Sequence, residues 1–156
     1  MTETAANLSA NSKDAIVDAL NQALAETTIT TALAQNFHWN VKGMAFGSLH
    51  ALFQQVYEDH FVAQDDLAER VRALGGHAEG HLSSMIKRSK VAEHDGHAKD
   101  TEMVEALAVA QETLAKTLAD LGELAADRGD SLTEDLSIAR GQVHEKFAWM
   151  LRAHLA

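Results

Sequence analysis

Apolar residues recur at alternating steps of three and four along four stretches of this chain, and glycines mark where the stretches stop. The first stretch runs from Ser12, the candidate N-cap, to Asn40, with Gly43 just past its end. Ile16, Leu20, Ala23, Thr27, Ala34 and Phe37 form its inner face. The second spans Gly47 to Leu74 and stops at Gly75-Gly76. The third opens at Asp100 or Thr101 and ends before Gly129, with Val104, Leu107, Gln111, Leu114, Leu118, Leu121 and Ala125 spaced like a bundle seam. The fourth opens on a capping box, Ser131-Leu132-Thr133-Glu134, and turns Leu136, Ala139, Val143, Phe147 and Met150 inward. Residues 77–98 are less regular, except that Leu82 to Val91 predicts a short amphipathic helix around Met85 and Ile86. The pattern predicts an all-α fold: two helical hairpins forming a four-helix bundle, joined by one long crossover that carries a short helix. Residues 1–156 read as one domain, of which 1–11 form a short flexible N-terminal tail.

The second stretch carries more than a core face. At about 100° per residue, Leu49, Phe53, Val56, Ala63, Leu67, Val71 and Leu74 cluster in one direction. His50, Gln54, Asp65 and Glu69 share a stripe roughly 150° away from it. The apolar face must bury against the chain's own bundle, so the ligand-like stripe looks outward. Fifteen residues separate His50 from Asp65, which is ~22 Å of helix and too far to share one ion. Two antiparallel copies crossing near Glu58 and Phe61 bring His50 of one chain to Asp65 and Glu69 of the other. The stripe therefore predicts a metal site built between subunits. Histidine with carboxylates is a mixed N/O donor set suited to ferrous iron, manganese or zinc. A plain solvated surface is the competing account of any single i, i+4 acidic pair.

Composition narrows the choices further. The chain has 156 residues, no proline and no cysteine. Long uninterrupted helices fit the first absence, and the second removes disulfides, thiol catalysis and thiolate metal sites. No stretch approaches eighteen apolar residues, so no membrane span is expected. The first residues lack a secretory pattern, which leaves the cytoplasm as the expected location. The net charge of −10 argues against nucleic acid, whose phosphates need Lys and Arg, and the first twelve residues contain no basic side chain. Excess acid favours cations as partners, with plain solubility the alternative.

The segment Asn36-Phe37-His38-Trp39-Asn40-Val41-Lys42-Gly43, followed by Phe46, Leu49-His50, Ala68-Glu69-Arg70 and Ala73-Leu74-Gly75-Gly76, resembles the Dps family, the miniferritins. His144 to Leu151 with His154-Leu155 is similar to that family's last helix, so the likeness spans nearly the whole chain. The resemblance implies a ferritin-like bundle, a homo-oligomer of twelve subunits, and a ferroxidase that oxidises Fe(II), preferably with hydrogen peroxide, and stores ferric iron. It maps the metal ligands to His38, His50, Asp65 and Glu69, and a role in electron transfer to Trp39. By residue type alone, His38 also suits a helix C-terminus electrostatically, and Trp39 suits core or interface filling.

One position departs from the family pattern: Gln54 stands where Asp or Glu is usual. A neutral amide compensates metal charge less well, and Glu58, one turn along the same face, is the residue placed to make up part of it. A structural or DNA-compacting shell with an impaired ferroxidase centre is thus the alternative reading. The resemblance also assigns pore roles to Asp127, Asp130 and Asp135, where solvated helix ends are the alternative. His77, His81, His94 and His97, with Glu79, Glu93 and Asp95, read as exposed crossover residues. His60 falls on the apolar stripe and reads as a satisfied core residue, and His144 and His154 as structural.

Overall fold

The computed structural model describes residues 5–94 and 97–156, apart from the side chain of Ala6. Among the described residues, five α-helices follow a 3-10 turn at Ala5–Asn7: α1 (Ala10–Asn40), α2 (Phe46–Ala73), α3 (Leu82–Arg88), α4 (Asp100–Asp127) and α5 (Ser131–Ala153). No strand occurs among the described residues. The first helix starts two residues before the expected cap, because Ser9 caps it by accepting the Ser12 N–H at 3.1 Å. Residues 10 and 11, grouped with the tail from sequence, are therefore helical, while residues 1–4 of that tail lie outside the described residues.

Short loops pair α1 with α2 and α4 with α5, and the two hairpins join through α1 against α4. Each loop has its own chemistry. After α2 the amides of Gly75 and Gly76 turn back to the carbonyls of Arg72 and Val71, with Gly75 at φ +86°. A Cβ on Gly76 would lie 2.6 Å from the Val17 methyls, so this helix end sits directly on α1. At the start of α5 the cap is Asp130 rather than Ser131: its carboxylate accepts the Thr133 N–H at 3.1 Å. The same carboxylate receives Arg70 of α2 at 2.8 Å, and its burial makes it a bolt between α2 and α5 rather than a solvent-facing acid. Ser131, displaced from the expected capping box, keeps a buried hydroxyl without a hydrogen-bond partner.

Phe37, Phe53, Ile16, Leu20, Leu49, Leu67, Leu107, Leu114, Leu118 and Leu121 are fully buried in one continuous core. The crossover is stitched to α1. Glu26, wholly buried, accepts from Gln22 at 2.9 Å, from the Lys90 N–H at 3.0 Å and from the Thr117 hydroxyl of α4. Asn21 binds the backbone at His77 and Glu79, and Arg88 reaches Asp18.

A closed polar ring crosses the bundle from α2 to α4 and α5. His60 Nδ1–H donates to Asp59, the Gln111 amide donates to His60 Nε2, and His144 Nδ1–H donates to the Gln111 carbonyl, at 2.9, 2.9 and 2.8 Å. Arg140 closes the ring, 3.4 Å from His144 Nε2 and 2.8 Å from Asp59. The ring nitrogens of both imidazoles find complementary partners only if both are neutral, while the buried Arg140 Nε–H is left without one. Burial pushes His60 below its ordinary pKa and His144 down to about 2. For Asp59, burial acts to raise the pKa, but hydrogen bonds from His60 and Arg140 and the Arg140 charge outweigh it and hold the carboxyl well below the usual range. His60 is thus the satisfied core residue expected from sequence, and His144 joins it.

Candidate metal centre

The end of α1 and the start of α2 are separated by only a short loop, which sets His38 against His50. Their contact is reciprocal. His38 Nδ1 lies 2.7 Å from the His50 carbonyl oxygen, and His50 Nδ1 lies 2.7 Å from the His38 carbonyl oxygen. A carbonyl only accepts, so both Nδ1 atoms carry hydrogen, and in the neutral rings both Nε2 atoms carry the lone pair. Metal-binding histidines use this tautomer, with the second nitrogen anchored elsewhere. The rings stack with centroids 3.7 Å apart at 16°, Tyr57 meets His38 edge-on at 5.2 Å, and Phe46 stacks on His50 at 5.0 Å. Packing therefore locks both rotamers before any ion arrives. His38 is buried and His50 half-buried, while Trp39 beside them is 69% exposed.

Gln54, one turn after His50, donates its amide to Glu58 Oε1 at 2.7 Å. Asp65 and Glu69 are exposed on the same helix, four residues apart, but at ~1.5 Å rise per residue they stand ~22 Å and ~28 Å beyond His50. Among the described residues, neither they nor Glu58 has an ion-pair partner. Between the two halves of the stripe, Phe61 and Val62 are 69% and 60% exposed. The fold thus brings His38 and His50 together, places Gln54 beside them, and leaves Asp65 and Glu69 apart on the same helix. Among the described residues, no three His, Asp or Glu side chains of one chain converge to hold an ion.

Both histidines are legible in the sequence, but their mutual locking is not, nor are Tyr57 and Phe46 as the walls of the pair. The signal was available in part: eleven residues spanning a helix end and a helix start are enough to return the chain on itself. Of the crossover residues, His81 pairs with Glu79 at 2.8 Å in the open, and His94 meets Phe37 edge-on at 6.0 Å. Asp95 lies outside the described residues. At the α4–α5 junction, Asp127 and Asp135 are exposed, whereas Asp130 is spent on the α5 cap and Arg70. No helix among the described residues is long and apolar enough to cross a membrane.

Residues 17–156 match the ferritin-like domain. The DNA protection during starvation protein of Helicobacter pylori is 34% identical over 135 residues, covering 85% of this chain and 92% of its own length. Dps from Staphylococcus aureus superposes with a TM-score of 0.88 at 35% identity, covering 90% of this chain and 95% of that one. Dps from Vibrio cholerae, described as belonging to a superfamily of ferritin-like diiron-carboxylate proteins, gives 0.92 at 29% identity, covering 100% and 98%.

Proposed function

Because the chain belongs to the Dps family of ferritin-like proteins, we propose that it is a ferroxidase and iron-storage protein whose site forms between protomers. The observation that carries this reading is the His38–His50 pair, which offers two Nε2 lone pairs at one end of a helix that bears Asp65 and Glu69 at the other. Two antiparallel α2 helices crossing near Glu58 and Phe61 join the imidazoles of one protomer to the carboxylates of its mate. The exposed apolar Phe61 and Val62 favour that crossing, since a free protomer would otherwise leave them in water.

Two carboxylates stabilise Fe(III) more than Fe(II), which lowers the potential and favours electron loss, while the histidines fix geometry without adding charge. Hydrogen peroxide is the preferred oxidant. Each of two Fe(II) ions gives one electron, the O–O bond breaks, and two protons complete two waters, so no hydroxyl radical is released. Trp39, next to His38 and open to solvent, serves as a relay for an electron on its way from Fe(II) to the peroxide. Ferric product is stored in a cage of twelve subunits in the cytoplasm. The Helicobacter relative is named for DNA protection. In this chain the net charge of −10 gives phosphates little to pair with, so protection comes from removing iron and peroxide rather than from gripping DNA.

The test is stopped-flow absorbance after mixing apoprotein with Fe(II) and peroxide. The double variant Asp65→Ala/Glu69→Ala should lose the fast ferric signal, and unchanged rates reject the assignment. Gln54 favours one rival, a shell with an impaired centre. Absence of a fast phase in the unaltered protein would select that rival, and a low-salt gel shift would then test compaction of DNA.

A further inference from the structure

We propose that Glu58 is a further iron-binding group of this centre, supplying the negative charge that Gln54 lacks. The proposal rests on the reading of His38, His50, Asp65 and Glu69 as the iron-oxidising site. Two ferrous ions carry four positive charges, and those four residues with neutral Gln54 return only two negative ones. A third carboxylate within reach brings the pair closer to balance, more so once both ions are ferric.

Glu58 is the carboxylate that the geometry makes available. It lies on the outward face, exposed, with no ion-pair partner among the described residues. Its neighbour Asp59 is unavailable, since His60 and Arg140 hold it. Elsewhere Glu105 and Glu112 are engaged by Arg152, and Glu26 is saturated by three donors. Side chains on a helix lean toward its N-terminus. The 2.7 Å bond from the Gln54 amide draws Glu58 Oε1 back along the helix, to the head of residue 54 and toward His50. That bond spends the amide's nitrogen and leaves two oxygens free to face an ion, Gln54 Oε1 and Glu58 Oε2. An anionic oxygen therefore stands beside the place where a carboxylate at residue 54 would put its own.

Cobalt(II) titration of the assembled protein, followed by calorimetry and by visible absorption, tests this without turnover. The unaltered protein should take two ions per centre. Glu58→Gln should weaken the second ion at least about tenfold while leaving the first in place. Gln54→Glu/Glu58→Gln, which moves the carboxylate back one turn, should restore it. Asp65→Ala/Glu69→Ala should lose both ions, so normal binding there rejects the site itself rather than this addition. The proposal is overturned if the unaltered protein binds one ion per centre, or if Glu58→Gln titrates like it. Should Glu58→Gln fail to assemble, Glu58→Asp keeps the charge but shortens the reach. A second-ion affinity equal to that of the unaltered protein then overturns the proposal equally.

Discussion

His38 and His50 hold each other's tautomer: each ring donates Nδ1–H to the other's backbone carbonyl at 2.7 Å while the imidazoles stack at 3.7 Å. The donors that fix the pair are the ring nitrogens, and the acceptors are backbone atoms that survive side-chain replacement. His38→Phe should therefore keep the stack and the fold but remove one Nε2. The expected result is a loss of at least about a hundredfold in Zn(II) or Co(II) affinity by calorimetry, with a melting midpoint close to that of the unaltered protein.

Phe61 sits on the face of α2 between the two halves of the ligand stripe, 69% exposed in the single chain. A charge there has to be desolvated if two α2 helices cross at that point. Phe61→Glu should yield smaller species by sedimentation velocity and lose metal binding with them. A variant that assembles fully and binds normally would place the contact elsewhere.

Trp39 adjoins His38, whereas Trp149, also exposed, lies near the end of α5. Fe(II) or Co(II) loading should quench the emission of Trp149→Phe, in which Trp39 remains, and leave that of Trp39→Phe nearly unchanged. Equal quenching in both variants would count against Trp39 as the residue beside the metal.

The ring through Asp59, His60, Gln111, His144 and Arg140 makes stability depend on pH. Both histidines have folded pKa values below the ordinary 6.5, so below that pH the unfolded chain binds more protons than the folded one. Stability should fall as pH drops below about 6.5, with a limiting slope of ~1.4 kcal/mol per pH unit for each histidine. Asp59, also depressed, adds to the loss below its ordinary value of 3.8. Urea unfolding between neutral pH and pH 4 measures the slope. His144→Gln should flatten it relative to the unaltered protein, and identical slopes would exclude His144 as a source.

Asp130 combines an N-cap with a pair to Arg70 that is almost closed to solvent. Asp130→Ala should cost about 3 kcal/mol of unfolding free energy, because it opens the cap and strands a guanidinium. Arg70→Met should cost less, because the Asp130 carboxylate it leaves behind keeps the Thr133 N–H and hydroxyl at the α5 N-terminus. Denaturant midpoints of the two variants decide the order.

Much of this protein was legible as a string. Helical periodicity, glycine stops and the absence of proline are local signals, and they placed four long helices and the crossover within two or three residues, because burying an apolar stripe is the largest force on each segment. The outward stripe was equally readable: residue angles around a helix follow from numbering alone, so His50, Gln54, Asp65 and Glu69 fell together without any knowledge of the bundle. What numbering cannot supply is which atoms meet across a loop or between helices. Only the packed chain made Asp130 rather than Ser131 the cap, since Arg70 comes from a helix sixty residues away. Only packing turned Gln111, which sat unremarked on an apolar seam, into the link between His60 and His144. The same holds at the metal centre, where a lone-pair direction depends on the carbonyl that the other nitrogen finds. That partner is set by the fold, through contacts distant in sequence and close in space.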